Sequence, residues 1–199
     1  MVPLSSVLVD RLGDLVVDVG EGFAEGAWTI GVALDQHSAF RDSNGPMSSL
    51  RRSLIVREFK TCAERRGIEV RPGQGGAIEV YEQNNDDYAV IRLRSAEVVA
   101  GELRVISNNG STWGGISDDG FWREIPYVMG WLPRSDDSLD FFVAEVTGKT
   151  DASVPCLEFG WLHRFGVPAT HGGASFTPDA TDSLEGWDLP SLGELSDGA

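Results

Sequence analysis

The chain reads as a single α+β domain, with an amphipathic basic helix packed on one face of an antiparallel sheet of about five to seven strands. Three observations predict this. Apolar residues recur at helical spacing between Ser48 and Arg66. Beyond Ile68 the pattern changes to short alternating or apolar runs set between clusters of Gly, Asn and Asp. The 199 residues are 41% hydrophobic, enough for one core, and their 24 Gly and 9 Pro suit a chain with many turns.

Residues 1–46 form an acidic, helical or mixed segment. Ser5 or Ser6 is placed to cap a helix carrying Leu8, Leu12, Leu15, Val16 and Val19 on one face, although Asp14 to Val19 also reads as a strand. The run from Arg41 to Pro46 breaks the chain. The core domain then spans 47–166. Its helix begins at Ser48 or Ser49 and turns Leu50, Leu54, Ile55, Phe59, Cys62 and Ala63 inward. Gly67 suits the left-handed position that ends it, and Arg65 and Arg66 complement the helix dipole.

Strands are expected at Ile68–Arg71, Ala77–Glu82, Tyr88–Arg94, Glu102–Ile106, Phe121–Trp131, Leu139–Thr147 and Leu157–His163. Leu157, Phe159 and Trp161 are expected on one side of the last. Short connections favour antiparallel pairing. From 167 to 199 the sequence is Gly, Ala, Ser, Thr, Asp and Pro without period, and this acidic tail is expected to be disordered.

Charge is the most informative feature for function. Six of the sixteen Lys and Arg residues lie between Arg51 and Arg66, against only Glu58 and Glu64. That stretch carries four net positive charges, while the whole chain carries a formal net charge of −15. A pI near 4.4 disfavours nucleic acid and anionic membranes as partners of the bulk surface. No apolar run approaches the roughly 20 residues of a membrane span. Cys62 and Cys156 read as reduced packing residues, which suggests a cytoplasmic address.

Several motifs invite a chemistry. Gly20, Gly22 and Gly26 follow Val16 to Val19 in the manner of a phosphate-binding turn, with Asp35 in the place of a ribose-binding acid. Too few residues remain before Ile30 for a crossover helix, and Glu21 and Glu25 would repel an anion, so a structural turn is favoured. A basic helix followed by strands bearing Glu79, Asp86, Asp87 and Glu145 matches the layout of a metal-dependent nuclease holding Mg²⁺ through carboxylates. In that reading Asp87, Glu145 and Lys149 are catalytic. The alternative pairs the carboxylates with Arg92, Arg94 and Arg104 across strands. His37, His163 and His171 show no metal-ligand spacing with the cysteines. Trp113, in a polar loop, is either core or an aromatic platform for a sugar or base.

These readings lean away from an enzyme and toward a non-enzymatic binding or regulatory protein acting through protein–protein contact, with an atypical DNA nuclease as the alternative. The expected contact residues are Arg51, Arg52, Arg57 and Lys60 on the basic helix, and Leu184, Trp187 and Leu189 in the tail, where apolar residues sit among six carboxylates. The partner is another protein, and a second copy of the chain is a further candidate. No cofactor is expected outside the nuclease alternative.

Overall fold

A computed structural model describes residues 4–42, 44–73, 78–84, 87–107, 113, 115–116, 123–134 and 138–166. The tail read as disordered lies outside the described residues.

Among the described residues four helices precede the sheet: α1 (Ser6–Gly26), α2 (Trp28–Asp35), α3 (Ser38–Arg41) and α4 (Asn44–Arg65). Ser5 caps α1, its hydroxyl accepting from the Leu8 amide at 3.1 Å, and Leu8, Leu12, Leu15, Val16, Val19 and Phe23 are buried along one face. The helical reading of the first residues therefore holds, and Asp14 to Val19 is not a strand. Gly20, Gly22 and Gly26 lie inside α1 rather than in a turn. A Cβ on Gly22 would stand 2.7 Å from the Glu58 carboxylate, and one on Gly26 3.1 Å from Leu54. One turn apart, these two glycines let α1 and α4 approach closely, which offsets their poor helix propensity.

α4 starts at Asn44, earlier than the sequence suggests, because Pro46 falls in its first turn, where a missing N–H costs nothing. Leu54, Ile55, Phe59, Cys62 and Ala63 are buried. Gly67 takes φ +62°, and the Ile68 amide returns to the Ala63 carbonyl at 2.9 Å. Arg11 of α1 donates to the Arg66 and Gly67 carbonyls, both at 3.1 Å, closing the end of the helix.

The sheet comprises β1 (Val70–Pro72), β2 (Ile78–Asn84), β3 (Asp87–Ser95), β7 (Arg123–Pro133), β8 (Leu139–Lys149) and β9 (Leu157–Phe165) in the order 1-2-3-7-8-9, with β6 (Gly115–Ile116) also paired to β7. Every pair is antiparallel except β3 with β7. That parallel pair needs a long return, which contains the hairpin of β4 (Glu97–Val99) and β5 (Glu102–Arg104). The α+β class and the helix-on-sheet layering follow the sequence reading.

The helices and one face of the sheet share a core that includes Leu12, Phe23, Ile55, Phe59, Ile91, Tyr127 and Phe141. A smaller core on the opposite face gathers Val105, Val128, Phe142, Ala144, Val146 and Leu157. β9 does not keep its expected alternation. Ala144 pairs with Leu162 and Val146 with Phe159, so Gly160 and Trp161 together oppose Glu145. This β-bulge turns Trp161 to the helix side, against Tyr127 and stacked on His163, while Phe159 stays on the other face.

Candidate functional site

The outward face of α4 holds the predicted contact residues. Arg52, Arg57 and Lys60 are exposed and Arg51 is half-buried. They are not equivalent. Arg57 is engaged by the neighbouring Glu58 at 2.7 Å. Arg66, at the end of the same helix, forms a two-pronged contact with Asp18 at 2.7 and 2.8 Å and reaches Asp14 at 3.3 Å. The Arg66 guanidinium holds the Asp18 carboxyl below the usual range, against the opposing effect of burial. Part of the helix charge is thus neutralised by α1, while Arg52 and Lys60 stand exposed on the outward face.

The nuclease set is not assembled. Asp87 pairs with Arg123 and Glu145 with Tyr127, four residues farther along β7. At about 3.3 Å per residue and 4.8 Å per strand, their Cα atoms stand roughly 16 Å apart, beyond any shared ion. Lys149, paired with Leu157, lies at the far end of β8. Among the described residues no three His, Cys, Asp or Glu side chains are grouped to hold a metal. Asp86 and the tail positions Leu184, Trp187 and Leu189 lie outside the described residues.

Glu145 instead faces the helix side next to Tyr127, with its Oε2 buried and without a hydrogen-bond partner. Burial, followed by the charges of Glu145 and Glu82, pushes the Tyr127 phenol up to about 12. Glu82 is held by the start of α1: the Ser5 hydroxyl donates to its Oε1 and the Ser5 amide to its Oε2 at 3.3 Å.

A second polar cluster lies on the opposite face of the sheet, where side-chain alternation on β2 and β3 places Glu79, Tyr81, Arg92 and Arg94. Glu79 is buried, accepting from Arg92 Nε at 2.7 Å and from the Tyr81 hydroxyl at 2.6 Å. Burial and that hydrogen bond raise the Tyr81 phenol to about 12. Arg71 of β1 lies 4.9 Å over the Tyr81 ring. Arg92 and Arg94 both lie over the Trp113 ring, at 5.0 and 5.8 Å, and Trp113 Nε1 donates to the buried Ser107 hydroxyl at 3.2 Å. Trp113 is therefore an anchor of the return connection against the sheet, sandwiched with cations rather than displayed as a bare platform.

α2 carries a feature that the sequence reading missed. Ile30 and Leu34 are buried, yet Trp28 is 68% exposed and Val32, one turn on, is 50% exposed. The apolar helix is uncovered on one side. The signal was present in the sequence, since Trp28, Ile30, Val32 and Leu34 are too many large apolar residues for one buried stripe on eight residues.

No family model, no curated protein and no solved structure matches this chain. Among the described residues no helix is long and apolar enough to cross a membrane.

Proposed function

We propose that this chain is a non-enzymatic binding protein that acts through contact with another protein. The observation that carries the reading is the uncovered side of α2, where an indole two-thirds in water and a valine one turn away stand on the same face. Tryptophan is costly to leave exposed and is enriched among the residues that dominate binding energy. The exposed cationic side chains of α4, Arg52 and Lys60, add a charged rim that steers an acidic partner and sets its orientation. The tail residues Leu184, Trp187 and Leu189 supply a further apolar segment for a partner groove.

Quantitative capture by tagged full-length chain tests this. Trp28→Ala with Val32→Ser, Arg52→Glu with Lys60→Glu, and Leu184→Ser with Trp187→Ser and Leu189→Ser form three variants. The first is expected to lose a specific partner, and the second to lose the salt sensitivity of capture, because exposed charges are screened over ~8–10 Å at physiological ionic strength. A partner profile unchanged in all three variants removes the proposal.

A further inference from the structure

We infer that the free edge of β9 is a self-association surface, which pairs antiparallel with β9 of a second copy about a twofold axis at His163. The argument begins with the backbone. The sheet order ends in β9, so β8 serves only one side of this nine-residue strand. Backbone groups alternate between the two sides along a strand. Leu157 turns its amide away from β8, to the Val105 carbonyl at 2.9 Å. Phe159 is next on that side. Gly160 and Trp161 together face Glu145 of β8, so the outward residues that follow are Leu162 and Arg164. Among the described residues no hydrogen bond takes the outward backbone groups of Leu162 or Arg164.

The two ends of the sheet are unlike. β1 has three residues and closes on Pro72, which has no N–H to offer. β9 holds neither proline nor lysine, and Leu162, His163 and Arg164 are exposed, Leu162 to 37%. Unpaired donors and acceptors along such an edge are a template for another strand.

Geometry selects both the occupant and the register. In an antiparallel pair, outward residues meet outward residues. Leu162 opposite Arg164 of the second copy gives a doubly bonded pair on each side of the axis, with the two His163 residues facing on it. Pairing Leu162 with Phe159 instead would bring Arg164 to Leu157, whose outward side Val105 already occupies. Pairing Arg164 with its own counterpart would draw on Gly166, beyond the end of β9. Side chains favour the same register. Trp161, His163 and Phe165 form a row on the helix face, His163 stacked on Trp161 at 6.0 Å and edge-on to Phe165 at 5.0 Å. With His163 on the axis, Trp161 lies opposite Phe165 of the second copy, so the row continues across the joint as favourable cross-strand pairs. On the other face the stem of the second copy's Arg164 covers Leu162. An unrelated extended peptide matches the backbone but lacks this reciprocity. The edge is also separate from α2, so this inference and the function proposed above fail independently.

Sedimentation equilibrium of the full chain over a wide concentration range tests this. A reversible step from 21.5 kDa to twice that mass is expected. Each copy carries a net charge of −15, so added salt, which screens their repulsion, is expected to tighten the pair. Leu162→Pro is expected to weaken association at least tenfold. Its N–H points away from β8, so proline there spares the ladder within the chain. If thermal unfolding shows that this variant does not fold, His163→Lys replaces it, setting two ammonium groups against each other, with at least tenfold weakening again expected. Cross-linking in a Cys156→Ser background reads the register. His163→Cys is expected to form a disulfide between copies on mild oxidation, since directly opposed residues outside the hydrogen-bonded pairs hold their Cα atoms about 4.5 Å apart. Arg164→Cys, two residues out of step with its counterpart, lies beyond disulfide reach and is expected not to link. Trp28→Ala is expected to associate as wild type. A monomer at every concentration, a dimer that the β9 variants leave unchanged, or a disulfide at 164 rather than 163 overturns the surface.

Discussion

Glu79 of β2 and Arg92 of β3 face each other directly across the sheet, their side chains joined at 2.7 Å and left only 7% and 15% exposed. Desolvating both charges offsets most of their mutual attraction, so the pair contributes little net stability over an apolar pair. Removing one partner is different. Glu79→Ala takes the carboxylate from a largely buried guanidinium and from the Tyr81 hydroxyl, and should cost about 3–5 kcal/mol. The double variant Glu79→Met with Arg92→Met should recover most of that loss. Urea unfolding of the single and double variants checks it, and a single-variant cost below ~1 kcal/mol would contradict the burial argument.

Gly130 sits in the middle of β7 because the Phe142 ring occupies the volume that any side chain would need. Glycine in a strand interior is otherwise unfavourable. Gly130→Ala is therefore expected to destabilise by roughly 1–3 kcal/mol through overpacking. Combining it with Phe142→Leu should give a double variant more stable than the sum of the two single effects. Additive effects in thermal unfolding would show that ring and glycine are not coupled.

The strands were legible because alternation and turn clusters are local signals, and Tyr88–Arg94 and Leu139–Thr147 fall within the observed β3 and β8. The inner face of α4 was legible for the same reason. Gly20, Gly22 and Gly26 read as a turn because that is a glycine's usual meaning; the use of Gly22 and Gly26 here depends on Glu58 and Leu54 of another helix. The bulge at Gly160 and Trp161 depends on the register with β8, and the placing of Arg92 and Arg94 over Trp113 joins residues that are distant along the chain. Such pairings have no one-dimensional trace. The parallel pairing of β3 with β7 was likewise hidden, since the return connection resembles a string of hairpins.

Asp18 and Arg66 tie α1 to the end of α4, and the lowered Asp18 pKa gives the tie a pH dependence. A carboxyl whose folded pKa is depressed stabilises the fold above its unfolded value, near 3.9, and loses that contribution as pH falls through the lower folded value. Asp18→Asn should therefore lower the unfolding temperature at pH 6–7. The gap to wild type should close as pH drops below about 4, vanishing once both states are protonated. A gap that stays constant down to pH 2 would show that packing, not charge, holds the two helices there.

Ala100 turns the β4–β5 hairpin with φ +53°, followed by Gly101 at φ +83°. Two positive φ values define the turn that suits the twist of a hairpin, and asparagine followed by glycine fills it best. Alanine there is strained by its Cβ. Ala100→Asn should add roughly 0.5–1 kcal/mol and Ala100→Val should remove about as much. If the asparagine variant shows a lower urea midpoint than wild type, the strain is not where the backbone indicates.

Cys62 and Cys156 are both free thiols in different settings. Cys62 is enclosed in α4 against the core, and burial pushes its thiol up, outweighing the nearby Arg65 charge. Cys156 lies beside the exposed turn 151–154, and its amide is held by the Thr150 hydroxyl at 2.9 Å. Because the thiolate is the reactive form and must be reached by reagent, one thiol per chain should react quickly with a disulfide probe at pH 8, and the second only with unfolding. Cys156→Ser should abolish the fast phase while sparing the slow one. Cys62→Ser, which places a hydroxyl in the core, should leave the fast phase intact and cost about 1–3 kcal/mol in urea unfolding. Two fast thiols in the native chain would mean that the α4 core opens on the labelling timescale, and the packing described for Phe59, Cys62 and Ala63 would be wrong.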